Sequence, residues 1–133
     1  MPYINKSQSN DWLTPKEVYE NLNEEFKFNF DPCPYPKPKF DGLEIEWKER
    51  NFVNPPYSQL KKWIKKSFEE YKKGKLVVML IPSRTDTIAW HEYIFPYAKV
   101  RFIKGRLKFK LAGTKETKID PAPFPSAIVI FKQ

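Results

Sequence analysis

The run KLVVMLIP, residues 75–82, is apolar after its first residue and shows no alternation of polar and apolar side chains. Such a run is typical of a strand covered on both faces, as in a parallel sheet flanked by helices. A short strand, NFV at 51–53, and a helical pattern over residues 59–72 precede it. Ser58 is the predicted helix cap, and Gly74 is the predicted helix end. The order strand, helix, buried strand predicts a βαβ unit with a parallel sheet and therefore an α/β fold.

The rest of the chain divides into further short elements. Thr14 and Pro15 predict the N-cap and first position of a helix, followed by apolar residues at helical spacing. The segment FKFNFD at 26–31 alternates phenylalanine with polar residues, which predicts a strand with one buried face. A proline-rich loop over residues 31–42 follows. Later patterns predict a helix over 85–93 and strands over 99–105, 106–111 (separate or continuous with the preceding strand) and 126–132.

Size and composition limit the domain organisation and the cellular setting. For 133 residues we expect a flexible N-terminus over residues 1–10 and a single domain over residues 11–133. One cysteine allows no intrachain disulfide, and one histidine argues against a His/Cys zinc cluster, so no metal is expected. Because the sequence shows neither ~20 consecutive apolar residues nor a signal peptide, we expect a cytoplasmic protein without a membrane partner.

The chain is basic, with 24 lysine and arginine residues against 16 acidic ones and a net charge of +8. This surplus favours a polyanionic partner, although a merely soluble basic surface fits the charge alone equally well. Aromatic residues form 17% of the chain and favour nucleic acid, because rings stack on bases while lysines contact phosphates. A solvated outer helix face, with contact to the DNA backbone as the alternative, is predicted for four lysines: Lys61, Lys62, Lys65 and Lys66.

Two consecutive prolines follow an asparagine in FVNPPYSQL, residues 52–60, which excludes a helix interior or a central strand there. The exocyclic amino group of a nucleobase is a poor nucleophile, because its lone pair is delocalised into the ring. Two acceptors, the side-chain oxygen of Asn54 and the carbonyl of Pro55, would raise its electron density and orient the lone pair. Tyr57 could stack on a base swung out of its helix. The alternative is an ordinary Asn-Pro turn.

Several short motifs occur in order along residues 11–131: W-L-T-P (12–15), F-D-P-C (30–33), D-G-L (41–43), F-V-N-P-P-Y-S (52–58), L-I-P-S-R-T-D-T (80–87), G-R-L-K-F (105–109) and P-A-P-F-P-S-A (121–127). Together they resemble the small phage-type, or Dam-like, DNA N6-adenine methyltransferases. The resemblance implies methyl transfer from S-adenosylmethionine to N6 of adenine in DNA, in the cytoplasm of a host cell if the chain is phage-encoded. It also implies a Rossmann-like methyltransferase sheet with flanking helices.

The resemblance implies roles for single residues. The residues that grip the target amino group and stack on its base would be Asn54, Pro55, Pro56 and Tyr57. Asp31 matches the end of the first cofactor strand. The segment beside the methionine end of the cofactor would contain Trp12, Thr14 and Pro15.

The cofactor region departs from the usual methyltransferase pattern. The turn after Asp31 contains no glycine before Gly42, and Asp31 and Asn54 are only 23 residues apart (54 minus 31). We therefore expect an abridged sheet. Asp41 or Glu46 could accept from the ribose hydroxyls, with a turn aspartate and a solvated glutamate as the alternatives.

Three further residues are candidates for contacts with the substrate: Ser58, Arg84 and Phe124. Arg84 could hold a phosphate or the cofactor carboxylate, or form a surface pair with Asp86. Phe124 could clamp a flipped base or pack in the core. Two other functions stay open, an N4-cytosine or RNA methyltransferase of the same fold and a nucleic-acid-binding protein without catalysis. The oligomeric state is open as well.

Overall fold

The computed structural model describes residues 12–111, 119–121 and 124–133. Helices and strands alternate through the middle of the chain. In chain order, the elements are β1 (Trp12–Leu13), α1 (Lys16–Phe26), β2 (Arg50–Val53), a 3-10 turn (Tyr57–Gln59), α2 (Leu60–Lys72), β3 (Leu76–Pro82), π-helical turns (Trp90–Ile94) that continue into α3 (Phe95–Tyr97), β4 (Lys99–Phe102), β5 (Lys108–Leu111), β6 (Ile119–Pro121) and β7 (Ser126–Phe131).

Four strands form an open mixed sheet in the order β2–β3–β7–β4. β2 and β3 run parallel, with Val53 opposite Met79, and α2 connects them, which confirms the predicted βαβ unit. β7 is antiparallel to both β3 and β4, so the expectation of a parallel sheet is correct for β2 and β3 alone. The described part of the chain is therefore α/β, as predicted, with a mixed sheet.

Both faces of the sheet are covered, because successive side chains of β3 enter two different apolar clusters. Val77 and Met79 pack in one cluster with Trp63 of α2. Val78 packs in the other cluster with Leu22 of α1. From Val77 onward, the apolar residues of β3 before its terminal proline are at most 1% exposed. The continuous apolar run is thus a strand buried on both faces, as predicted.

The predicted strand over residues 26–31 is wrong. Phe26 ends α1, and Lys27 takes a left-handed φ of 55°, which stops the helix and turns the chain. Phe30 then forms an isolated parallel bridge to Asn51 at the edge of the sheet. The alternating phenylalanines do pack against the interior, but Phe26 and Phe30 enter different clusters instead of sharing one face.

Both predicted helix caps are also wrong. At α1, Pro15 occupies the N-cap position and makes no side-chain cap, so Thr14 lies outside the helix. At α2, the 3-10 turn precedes the helix and Gln59 takes the N-cap position, so Ser58 does not cap it. The hydroxyl of Thr14 instead contacts a distant part of the chain.

The later elements follow the prediction with shifted bounds. Turns occupy residues 85–86 and the helical segment covers residues 88–97, so it begins later than expected. The strands predicted over 99–105 and 126–132 correspond to β4 and β7. The pattern at 106–111 forms β5, a separate strand, not a continuation of β4.

A second, smaller sheet joins the N-terminal segment to the C-terminal half. β1 pairs antiparallel with β5, with Leu13 opposite Lys110, and β5 pairs antiparallel with β6. The short strand β1 was not predicted from the sequence. Its pairing with β5 fixes the position of Thr14, the next residue in the chain.

Candidate active site

Three chain segments meet at one edge of the four-stranded sheet. The parallel strands β2 and β3 end there and the antiparallel strand β7 begins there, which brings together residues 54–59, 83–87 and 124–125. The Ser83 N–H donates to the Pro125 carbonyl at 2.9 Å and joins two of these segments. Ligands of open α/β sheets bind at the carboxyl ends of parallel strands, so this edge is the expected ligand edge.

The Asn-Pro-Pro-Tyr segment leaves β2 as an extended turn. Pro55 is buried, while Asn54 and Pro56 are half-buried. Pro56 has φ −65° and ψ 139°, and its carbonyl accepts a hydrogen bond from the Gln59 N–H at 3.2 Å. Because proline fixes φ, the two prolines lower the conformational freedom of the turn. The backbone around Asn54 is therefore held in one shape before any ligand arrives.

The side chain of Asn54 is anchored to the N-terminal segment. Its Nδ2 donates a hydrogen bond to Oγ1 of Thr14 at 2.9 Å, across 40 positions of the sequence. This contact connects the residue after β1 with the residue after β2. It joins Thr14, which the family resemblance assigns to the cofactor, to Asn54, which the resemblance assigns to the target amino group.

Tyr57 contacts Phe124 at the start of the segment that leads into β7. Their ring centroids are 4.9 Å apart and the rings meet edge to face at 86°. Burial raises the pKa of the Tyr57 phenol, and the positive charge of Arg84 opposes that shift. The charge of Arg84 is therefore close enough to act on the Tyr57 phenol, and the Arg84 side chain is exposed. Phe124 also packs against the apolar cluster that includes α1, so it belongs both to the core and to this edge.

A cavity of about 960 Å³ opens beside Asn54. One wall includes Thr14 and Tyr19, a second is the loop over residues 31–43, and a third includes Asn54 and Trp63 of α2. Its volume falls within the ~300–1,000 Å³ typical of small-molecule and cofactor sites. The cavity is large enough for a nucleoside-sized ligand.

The loop wall of the cavity is shaped by close contacts at Gly42. A Cβ at this position would lie 1.9 Å from the Pro32 carbonyl oxygen and 2.8 Å from the Trp63 ring, so only glycine fits. The Gly42 carbonyl accepts a hydrogen bond from Nε1 of Trp47 at 2.7 Å. These contacts close the loop upon itself and hold it against α2.

A buried carboxylate on α2 fixes the base of the same wall. Oε1 of Glu70 accepts from the Trp47 N–H at 2.9 Å and from Lys75 at 2.6 Å, while Oε2 accepts from Lys73 at 2.9 Å and Lys66 at 3.2 Å. Burial acts to raise the pKa of Glu70, but these hydrogen bonds lower it to about 2. The predicted solvated face is therefore wrong for Lys66, whose side chain is only 14% exposed.

Asp31 lines the cavity where the chain leaves the bridge at Phe30. Burial raises the pKa of Asp31 to about 6, and the Cys33 N–H, which donates to Oδ1 at 2.8 Å, opposes that shift. Burial and the negative charge of Asp31 also raise the pKa of the nearby Tyr19 phenol. Asp31 thus offers the cavity a carboxyl group that ionises near neutral pH.

A family model matches almost the full length of the chain. The model for DNA N-6-adenine-methyltransferase (Dam) covers residues 3–133. The chain belongs to this family. The resemblance drawn from the short motifs is therefore confirmed. A search of curated proteins found no match.

The described part of this Dam-family chain contains neither a candidate membrane span nor a candidate metal cluster. None of the helices there is long and apolar enough to span a membrane. The same residues include no group of His, Cys, Asp and Glu side chains that could hold a metal ion.

The structure divides the predicted site residues of this Dam-family chain into two groups. The residues that line the cavity are Thr14, Asp31, Asp41, Asn54, Pro56 and Ser58. The described residues outside that lining are Pro15, Pro55, Tyr57, Arg84 and Phe124. Trp12 forms part of the β1 backbone, and its side chain lies outside the described part of the structure. Tyr57, Arg84 and Phe124 form a separate cluster next to Asn54.

The two carboxylates predicted as ribose partners differ in position. Asp41 lines the cavity, and its Oδ1 accepts a hydrogen bond from the Leu43 N–H at 2.9 Å, as a turn aspartate does. Glu46 is 70% exposed and pairs with Lys73 at 3.7 Å and Lys75 at 3.5 Å, away from the cavity lining. The structure therefore favours the solvated alternative for Glu46.

The sequence analysis missed the aromatic rings of the cavity. Tyr19, Tyr35, Phe40 and Trp63 all line it. Helical spacing places Trp63 on the apolar face of α2, but this spacing does not show that part of that face borders a cavity. A signal was present in the proline-rich loop, because Tyr35 and Phe40 are aromatic residues where no core pattern requires them. Tyr35 is 51% exposed in the structure.

Proposed function

We propose that this chain transfers a methyl group from S-adenosylmethionine to N6 of adenine in DNA. One arrangement supports the proposal most strongly. Asn54 lines a cofactor-sized cavity and lies three residues before Tyr57, which contacts Phe124 on the ligand edge of the sheet. A cofactor in the cavity and a base on Tyr57 would both lie next to the same asparagine. Membership of the Dam family supports the same function.

The strand arrangement supports an abridged Rossmann-like methyltransferase sheet. β2, α2 and β3 form one βαβ unit with its ligand edge at the carboxyl ends of the strands. On the other side of β2, the chain contributes the single bridge at Phe30, and residues 31–49, all of them described, contain no helix or strand. In the proposed fold, this loop replaces the further strand-and-helix units and takes over part of the cofactor site.

The cavity residues fit S-adenosylmethionine, which joins a charged amino acid to a ribose and an aromatic base. The rings of Tyr19, Tyr35 and Phe40 provide surfaces against which a base can pack. The ionised form of Asp31 can accept from ribose hydroxyls or pair with an ammonium group. Bound there, the cofactor would supply a methyl group attached to a sulfonium sulfur. The amino nitrogen would bond to the methyl carbon as the carbon–sulfur bond breaks, and the sulfur would leave as a neutral thioether.

Asn54 and Pro55 activate the amino group in this proposal. The side-chain oxygen of Asn54 and the backbone carbonyl of Pro55 accept its two N–H donors, which raises electron density on the nitrogen and aims the lone pair at the methyl carbon. The stiff turn holds both acceptors before the base arrives, so little reorganisation is needed during the reaction. After methylation the nitrogen loses one proton to solvent, and no dedicated base is required.

The cluster of Tyr57, Arg84 and Phe124 receives the nucleic acid. A base that leaves its stack can pack on the Tyr57 ring, whose orientation is fixed by the edge-to-face contact with Phe124. Arg84 is exposed beside Tyr57 and can contact a phosphate of the same strand. The net charge of +8 favours association with DNA over the whole surface.

The test is incorporation of labelled methyl groups from S-adenosylmethionine into DNA, followed by digestion and identification of the modified nucleoside. We expect N6-methyladenine from the wild type. Asn54→Ala should lower the rate by about 10²–10³-fold, because one of two preorganised acceptors is lost. Tyr57→Phe is the matched control, since it keeps the ring and should keep most of the activity.

Three results would contradict parts of the proposal. Full turnover by Asn54→Ala overturns the activation mechanism. Methylcytosine in the digest, or methylation confined to RNA, retains the mechanism and replaces the substrate. Absence of methylation on any nucleic acid, with DNA still bound, indicates a nucleic-acid-binding protein without catalysis.

A further inference from the structure

The hydrogen bond between Asn54 and Thr14 involves the side-chain amide that the proposed function places against the target amino group. An asparagine amide has a donating NH₂ group and an accepting oxygen on the two sides of one carbon. The target amino group offers two N–H donors, so only the oxygen end of the amide can assist it. An amide rotated by 180° would place one NH₂ group against another. The proposed chemistry therefore requires that the protein select one of the two orientations.

In the structure the amide adopts one of these orientations, with its NH₂ end on the hydroxyl of Thr14. Nδ2 of Asn54 donates to Oγ1 of Thr14 at 2.9 Å, which places the amide oxygen on the side away from Thr14. Thr14 and Asn54 both line the same cavity, so in the proposed function the hydrogen bond would lie between the cofactor and the target amino group.

Thr14 is itself held in place on both sides. The preceding residue, Leu13, belongs to β1 and pairs with Lys110 of β5. The following residue, Pro15, accepts a backbone hydrogen bond from Tyr19 at 3.1 Å at the start of α1. The hydroxyl is therefore positioned by a strand pair and a helix start, and an oriented support of this kind is what a preorganised site requires.

We propose that Thr14 is a positioning residue for methyl transfer: its hydroxyl fixes the side-chain amide of Asn54 with the oxygen toward the target amino group. This inference rests on the proposed function. It assigns Thr14 to the activation of the amino group, whereas the family resemblance places Thr14 beside the methionine end of the cofactor. A role in activation predicts a lower kcat when the hydroxyl is removed, whereas a role in cofactor binding predicts a weaker affinity for the cofactor.

The test compares Thr14→Val, which keeps the shape and removes the hydroxyl, with Thr14→Ser, which keeps the hydroxyl. We expect Thr14→Val to lower kcat by about 10–100-fold, because a misplaced reacting group costs up to about 10²-fold in rate. Calorimetric affinity for S-adenosylmethionine and the melting temperature should stay close to those of the wild type. Thr14→Ser should restore most of kcat. A weaker cofactor affinity with unchanged kcat would overturn the positioning role.

A double-mutant cycle tests whether Thr14 acts through Asn54. In an Asn54→Ala background the hydroxyl has no amide to orient, so Thr14→Val should cause no further loss of kcat. If the losses of the two single variants instead multiply in the double variant, Thr14 acts independently of Asn54 and the inference is wrong.

A third measurement does not depend on turnover. In amide NMR spectra of the protein without cofactor or DNA, the Asn54 side-chain NH₂ signals are identified by their absence in Asn54→Ala. Thr14→Val should shift these signals and speed their exchange with water, while Thr14→Ser should not. Unchanged signals in Thr14→Val overturn the inference even if the enzyme is active. Shifted signals in a protein that methylates no nucleic acid show that the proposed function has failed, and the positioning role fails with it.

Discussion

The two stretches of chain that flank β2 build the same cavity by different means. Downstream, residues 54–82 continue into α2 and β3, a regular βαβ unit held by repeated backbone hydrogen bonds and periodic apolar side chains. Upstream, residues 27–49 contain no helix or strand, and all of them are described. Their shape depends on a few specific contacts at Asp31, Gly42 and Trp47.

This difference determines how each stretch should respond to substitution. In a regular unit, many similar contacts share the stabilisation, so a single surface change has little effect. In the irregular upstream wall, no other residue can replace the contacts that Gly42, the Trp47 indole and the Asp31 carboxylate make. We therefore expect single substitutions in or beneath the upstream wall to affect both stability and cofactor binding.

The largest effect is expected from Glu70→Gln, which removes the negative charge between three lysines and beneath Trp47. Breaking a buried ion pair by removing one partner typically costs about 3–5 kcal/mol of unfolding free energy, measurable by denaturant titration. The lowered pKa means that the carboxylate stabilises the fold above the unfolded value of 4.5, and that this stabilisation is lost as pH falls toward about 2. Glu70→Gln should lack that acid-dependent loss. Glu25→Gln, which breaks the exposed pair with Arg101, is the control and should cause a much smaller change.

A smaller effect is expected from Gly42→Ala. The added Cβ cannot be accommodated without moving the loop away from Pro32, so we expect a loss of about 1–3 kcal/mol in unfolding free energy together with weaker cofactor binding. Gly74→Ala is the matched control. Gly74 has a φ of 98° and nothing within 4 Å of an added Cβ, so alanine there is strained by about 1–2 kcal/mol without touching the cavity. Equal cofactor affinity in both variants would contradict the role assigned to the loop wall.

The smallest effect concerns the pH dependence of cofactor binding through Asp31. Because its pKa is raised to about 6, the binding carboxylate is mostly protonated below that pH and ionised above it. Cofactor affinity should therefore rise as pH increases from about 5 to 7, by up to about tenfold per pH unit below the pKa. Asp31→Asn should bind more weakly at pH 7 and lose this dependence. A parallel pH dependence in the variant and the wild type would place the titrating group elsewhere.

The regular part of the fold could be predicted from the sequence because its signals are local. The apolar run of β3, the periodicity of α2 and the Asn-Pro-Pro-Tyr motif each lie within a few consecutive residues. The contact between Thr14 and Asn54 could not be predicted, because it spans 40 positions and depends on the pairing of β1 with β5. The strand expected over 26–31 failed for a local reason, because α1 extends to Phe26 and ends in the left-handed turn at Lys27.

The role of Glu70 was missed although a signal was available. Glu70 lies three positions after Ser67, on the inner face of α2, where a charged residue needs partners in order to be buried. The lysines that provide them are close in sequence, at positions 66, 73 and 75. The aromatic residues of the proline-rich loop gave a comparable signal for the cavity.

The most direct test of the account is a calorimetric titration of S-adenosylmethionine into the wild type and Asn54→Ala, side by side near pH 7.5. The account predicts one binding site per chain with nearly equal affinity in both proteins, because the other walls of the cavity hold the cofactor while the Asn54 side chain acts on the target base. Absence of binding to the folded wild type would contradict the central claim that these two unlike stretches of chain build a cofactor site.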